Sequence, residues 1–429
     1  MAASRLALLS RKIIKPSSPT PLSQRIHKLS LMDQMGTHSS APFVFFYPKQ
    51  ETARSLEPAK VSQIFEKSLS KVLTAYYPFA GRVKDNSIVE CNDMGVDLSE
   101  VHIDCPMSTI FHHPRTYVDD LIFPKGIPWS SPKDSCLVVA QLSHFECGGI
   151  ALSACISHKV SDGYSTINFL RDWAMVARNS DAKPSPLFNG ASIFKPVNFS
   201  SPPVVVDPPL KQNVSERYHF SATKLKSLKA LISADSKSQN IPTTVEAITA
   251  FLCKCVNTPT FRPSLLIQAV NIRGTNNDAL VPADLVGNAF LPFAVSAANK
   301  EELNYQRLVD ELRNGKEKIR DTLKYNKSEE LLCSRVPEIA RELNKQTSSN
   351  DISIYRFTSL RKFPFHDINF GWGMPRKVDL ATVPVNMFIL LDNQSGGGLD
   401  VLVNLEQGEM SAFQSNDELL HFASPSSGL

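Results

Sequence analysis

His158 and Asp162 stand four residues apart in the run Ser157-His158-Lys159-Val160-Ser161-Asp162-Gly163. An imidazole with an ordinary pKa of about 6.5 is neutral at physiological pH and can take a proton from a hydroxyl. The apolar run 149–156 before it predicts a buried strand, and residues 164–177 after it predict a helix. Side chains alternate along a strand, so Ile150, Leu152, Ala154, Ile156 and His158 share one face. In that register the histidine reads either as a hydrogen-bonded core residue or as a general base at a strand end. Asp162 stands where an N-cap belongs, ahead of Ile167, Leu170, Trp173 and Ala174 at helical spacing.

A second string, Asn369-Phe370-Gly371-Trp372-Gly373, sets glycines on both sides of a tryptophan. It predicts a tight backbone path beside a large planar side chain. No group in it does acid–base chemistry, so by itself it reads as a turn with Trp372 in the core.

The elements that must position these residues alternate between strand and helix. Strand patterns cover 42–47, 136–142, 149–158 and 265–271, and a hairpin joins 385–392 to 399–405 around Gly396, Gly397 and Gly398. Helical spacing covers 61–75, 164–177, 222–234, most of 299–346 and a closing segment 410–422. Thr243-Thr244-Val245-Glu246 fits a capping box opening a helix to about residue 256. Prolines at 184, 186, 196, 202, 203, 208 and 209 make the stretch from 179 to 213 a crossover. The expected division is therefore 1–180, a Pro-rich crossover 181–213, and 214–429.

With 429 residues, 42% hydrophobic and 21% charged, the chain has the composition of a globular protein large enough for two domains. A net charge of +4, without a basic cluster interleaved with aromatics, argues against nucleic acid. No stretch of about 18 apolar residues is present to span a membrane. The eight cysteines contain no CxxC pair, so no metal site is expected, and apolar strand positions suit reduced thiols in the cytoplasm. Before Asp33 the sequence is basic, as in a transit peptide, but the run from Lys15 to Pro21 predicts an ordered, extended arm.

The two strings together resemble the plant BAHD acyltransferases, which carry HxxxD near the middle and DFGWG near the C-terminus. The resemblance extends over nearly the whole chain, through Lys15–Pro21, Leu31-Met32-Asp33-Gln34, Tyr77–Arg82, Cys91-Asn92-Asp93, Gln141–Gly149, Asn271-Ile272-Arg273 and Gly287-Asn288. In texture it is most similar to the branch containing vinorine synthase and deacetylvindoline acetyltransferase, which acetylate alkaloid hydroxyls.

The resemblance implies an α/β fold of two similar chloramphenicol-acetyltransferase-like domains, with mixed sheets and a channel between them. His158 would face that channel as the catalytic base, meeting an acyl-CoA, acetyl-CoA first, and a small-molecule alcohol. No permanently bound cofactor is expected, and a monomer is. Asp162, Gly163, Arg273, Asn369, Gly371, Trp372 and Gly373 would support the site. The family's Asp at position 369 commonly pairs with an arginine, and Arg273 is expected to be that partner here. Trp372 and the amides near Gly371 are the expected oxyanion donors. Thr243 or Thr244, at a helix start, is the expected contact for CoA phosphates, with capping as the alternative.

The acceptor expected is an alkaloid, then a triterpenoid alcohol. A hydrolase would need a nucleophile elbow of the GxSxG type, and none surrounds His158. A binding protein that kept the fold is the remaining alternative.

Overall fold

A computed structural model describes residues 6–37, 39–49, 57–113, 115–124, 135–197, 213–234, 241–257, 261–274, 280–325, 329–347, 351–381, 384–393 and 397–426. Residues 198–212 of the expected crossover and Gly396 of the expected hairpin lie outside the described residues.

The strands assemble into two large sheets. The first runs, in spatial order, Leu6–Ile14, Val96–Ile103, Val138–Phe145, Ile150–Ser157, Ser40–Tyr47 and Lys377–Leu380. It is mixed, because Val96–Ile103 and Val138–Phe145 run parallel and their neighbours antiparallel. The chain before the expected arm Lys15–Pro21 forms the edge strand Leu6–Ile14. The last strand comes from far along the chain. Lys377–Leu380 pairs with Phe43–Phe46, so residues from the expected second domain complete the first sheet.

The strand Ile150–Ser157 is buried from Ala151 onward because both its faces are covered. Leu152, Ala154 and Ile156 join the core under helices Pro58–Ala75 and Gly163–Arg178. Ala151 and Cys155 face a separate cluster with Ile110, Leu121 and Ile122. The two helices lock through Trp173. Its ring meets Phe65 edge-on at 5.4 Å, and its Nε1 donates to Ser68 Oγ at 2.9 Å. Truncating a buried aromatic of this kind costs about 3–5 kcal/mol.

The second sheet runs Phe290–Ala297, Ser264–Asn271, Ser353–Ser359, Met387–Asp392, Leu399–Glu406, Asn213–Phe220 and Ser424–Pro425. Its central strands alternate cleanly. Leu266, Phe357, Phe388 and Leu390 pack under helices that include Ala222–Ala234 and Thr244–Asn257. Ile267, Ala269, Arg356, Thr358, Met387 and Ile389 face the other way, into a cavity. The expected closing helix is two helices, Gln407–Gln414 and Asp417–Phe422. Asn416 breaks it by accepting the Leu419 N–H as a new N-cap.

Candidate active site

The strand Ile150–Ser157 ends one residue before His158, and the chain turns through 158–160 before the next helix begins. The turn leaves His158 half-buried on the wall of a cavity of about 430 Å³. Both halves of the chain line it: Pro42, Phe43, Asp162, Gly163 and Tyr164 from the first, and Asn271, Asn288, Phe290 and Met387 from the second.

Burial draws the His158 pKa below its ordinary value, outweighing the nearby Asp162 carboxylate and a hydrogen bond with the Ser161 backbone. Both of the latter favour the charged ring, and burial prevails over them. The neutral imidazole then keeps one nitrogen lone pair for a proton.

The backbone of His158 is held from two directions. Its N–H donates to the Ser39 carbonyl at 2.9 Å. Its carbonyl accepts from Asn288 Nδ2 at 2.6 Å. Asn288 is set in turn by Asp33, whose Oδ1 accepts both the Asn288 backbone N–H at 2.7 Å and Nδ2 at 2.9 Å. Asp33 also closes a capping box with Ser30 at the helix Leu31–Met35. The strings Leu31–Gln34 and Gly287-Asn288 thus meet behind the histidine. Gly287 sits at φ +134°, and a Cβ there would come within 3.2 Å of Asp33 Oδ1.

Asp162 caps the helix Gly163–Arg178, accepting the Ser165 N–H at Oδ1. Its Oδ2 takes Arg273 Nη1 at 2.7 Å and the Ala289 N–H at 3.0 Å. Burial alone would push its pKa up. The Arg273 guanidinium and the two backbone N–H groups overcome that and hold it below the usual carboxyl value. Arg273 spends its remaining donors on Leu285 O, Gly287 O, Asn271 Oδ1 and Ser165 Oγ. The Tyr164 ring lies 5.3 Å from it. Gly163 also lines the cavity, where a Cβ would meet Leu360 at 3.4 Å.

Three expectations are corrected. Arg273 is the partner of Asp162 and not of Asn369, because the strand ending at Asn271 delivers it behind the Asp162 cap. Asn369 has its own local role: its Oδ1 accepts the Gly371 N–H at 2.8 Å and the Gly373 N–H at 3.1 Å. Both glycines stand at positive φ, +113° and +114°, which the tight path requires. With those amides occupied, and with Trp372 packed on Phe65 and Phe370 at ring distances of 5.3 and 5.8 Å, none of the string lines the cavity. The expected oxyanion donors therefore sit away from His158, and the string supports the helix pair beneath the strand. Thr243 is engaged in capping, its Oγ1 accepting the Glu246 N–H while Glu246 accepts the Thr243 N–H. Neither Thr243 nor Thr244 lines the cavity.

Among the described residues no His, Cys, Asp and Glu group is arranged to hold a metal ion, and no helix is long and apolar enough to cross a membrane.

A family model for the Transferase family matches residues 5–420, and the chain belongs to this family, the plant BAHD acyltransferases. The protein is an acyl-transferring enzyme. It is 41% identical to acylsugar acyltransferase 3 of Solanum lycopersicum, over 97% of each chain. It is 39% identical to diaboline synthase of a Strychnos species, over 99% of this chain and 93% of the other. The crystal structure of vinorine synthase superposes with a TM-score of 0.83 at 28% identity, covering 99% of both chains.

Proposed function

We propose that this enzyme transfers an acyl group from an acyl-CoA, acetyl-CoA first, to a hydroxyl of a bulky plant specialised metabolite, with an alkaloid as the favoured acceptor. His158 is the general base. The observation that carries the reading is a half-buried imidazole, kept neutral by burial, on the wall of a cavity otherwise lined largely by aliphatic and aromatic side chains.

In the reaction the free nitrogen of His158 takes the hydroxyl proton as the oxygen attacks the thioester carbonyl. The carbon–oxygen bond forms while the carbonyl becomes a tetrahedral oxyanion. Collapse breaks the carbon–sulfur bond, and the imidazolium returns the proton to the departing sulfur. Acyl transfer is direct, so no serine or cysteine nucleophile is required. Asp162 acts through structure: with Arg273 it fixes the turn that aims the ring. The alkaloid choice is supported by the likeness to vinorine synthase.

The test is mass spectrometry of products after incubation with acetyl-CoA, malonyl-CoA and a pooled plant extract. New acetyl esters that vanish with His158→Ala support the reading. Acyl transfer that persists unchanged in His158→Ala removes the histidine from the chemistry, and CoA release without any ester makes the protein a thioester hydrolase.

A further inference from the structure

Arg356 is a charged residue in the middle of the second sheet. The strand Ser353–Ser359 runs between Ser264–Asn271 and Met387–Asp392, parallel to both. Register sets Arg356 abreast of Ile267 on one side and Met387 on the other. Alternation sends Tyr355 and Phe357 into the core and Arg356 and Thr358 to the cavity wall. A cation between two apolar neighbours on a central strand is costly unless something compensates it.

Other buried or nearly buried arginines are compensated within the protein. Arg273 holds Asp162, and Arg217 holds Asp379 and Asp400. Arg82 donates to the carbonyls of Gly81 and Gly95. The Arg356 side chain, half-buried, has no hydrogen bond or ion pair among the described residues. Burial lowers its pKa and no anionic neighbour opposes that, yet a guanidinium stays charged in a protein.

We propose that Arg356 is a specificity-determining residue that receives a carboxylate carried by a substrate in the cavity. A guanidinium takes a carboxylate through two parallel N–H donors, a geometry that suits planar recognition. Position favours the acceptor as the carrier. Asn271 bonds Arg273 and so marks the Asp162 end of the cavity. Ile267, abreast of Arg356, lies four residues back, about 13 Å along a strand. A polycyclic acceptor spans such a distance between its hydroxyl and an acid group. In a malonyl thioester the second carboxylate lies only two bonds from the reacting carbonyl.

This inference rests on the acyl-transfer reading, and the experiment separates the two. Pooled plant extract is passed over His158→Ala protein and over His158→Ala carrying Arg356→Gln as well, and the retained compounds are identified by mass spectrometry. The expected result is retention of carboxylic acids that falls roughly tenfold or more with Arg356→Gln, neutral compounds being retained equally. Equal retention of acids by both proteins overturns the assignment. Retained acids are then offered to protein with an intact His158 together with acetyl-CoA. Arg356-dependent retention without acylation leaves the subsite standing and removes the proposed reaction. Acylation indifferent to Arg356 does the reverse. A third arm compares malonyl-CoA with acetyl-CoA: if Arg356→Gln selectively impairs malonyl transfer, the carboxylate belongs to the donor. Equal loss with every substrate makes Arg356 structural and overturns the proposal.

Discussion

Arg273 grips Asp162 through an Nη1–Oδ2 contact of 2.7 Å, with both side chains almost wholly out of solvent. The pair joins residues 111 apart and ties the second half of the chain to the turn that carries His158. Asp162→Ala leaves the arginine charged and buried with fewer partners, and a loss of about 3–5 kcal/mol is expected. Urea unfolding of the purified variant measures it. A midpoint equal to that of the unsubstituted protein would show that the pair adds nothing to stability.

The same pair fixes a pH dependence. Asp162 has a lower pKa folded than unfolded, so its stabilisation is complete above the ordinary carboxyl range near 4. It is lost as pH falls through the lower folded value. Asp162→Asn should therefore flatten the fall in stability below about pH 4 relative to the unsubstituted protein. Thermal unfolding recorded across that range tests it, and parallel curves would count against the assignment.

His158 carries the opposite kind of charge change. Burial places its folded pKa below the ordinary value near 6.5. As pH falls from 6.5 the unfolded chain binds the proton first, so folded stability drops until the folded pKa is passed. The acid limb of kcat/KM for acyl transfer should accordingly lie below 6.5. An acid limb at or above 6.5 would mean that another group, or a charged ring, governs the rate. His158→Ala should lose about 10²–10⁴-fold in turnover, the usual cost of removing a general base.

Asn369 offers an acceptor where the family usually has a carboxylate. Its Oδ1 receives two glycine N–H groups, and Arg178 donates to its backbone carbonyl. Asn369→Asp keeps the acceptor and charges it, so stability should hold or rise by up to about 1 kcal/mol. Asn369→Ala strands both N–H groups and should lose about 1–3 kcal/mol. Since none of these residues lines the cavity, kcat in either folded variant should stay near that of the unsubstituted protein. A large kcat change without a stability change would tie the string directly to the chemistry.

Local pattern made much of this legible. A continuous apolar run identified the strand before His158, and Asp162 carried the marks of an N-cap that it proves to be. The helices 222–234 and 244–257 follow from spacing and a capping box. What local pattern does not carry is pairing at long range. Asn288 bonds the His158 carbonyl across 130 residues, and the strand at Lys377 crosses to the first sheet. No periodicity encodes either. Arg273 went to the wrong partner for the same reason: a sequence shows which charges exist, but burial and strand direction decide which of them meet. Arg356 gave no signal, because a single charge in an apolar strand reads the same whether it faces core, solvent or substrate.

The chain of contacts from Asp33 through Asn288 to His158 implies that a residue without acid–base chemistry tunes turnover through the peptide that carries the imidazole. Asp33 Oδ1 fixes both nitrogens of Asn288, and Asn288 fixes the peptide that carries the imidazole. Asn288→Ala removes the Nδ2 contacts to the His158 carbonyl and to Asp33 and keeps only the backbone N–H on Asp33, so the ring loses its alignment while retaining its chemistry. Misplacement by about 1 Å costs up to about 10²-fold in rate, so kcat should fall by about ten- to a hundredfold. Its acid limb should remain, because His158 is still the base, whereas His158→Ala abolishes the limb along with the rate. Steady-state kinetics across pH with a saturating acyl-CoA distinguishes the two: a fall in kcat that leaves the limb in place marks positioning. Unchanged kcat in folded Asn288→Ala would mean that the Ser39 carbonyl and the turn itself suffice to hold the histidine.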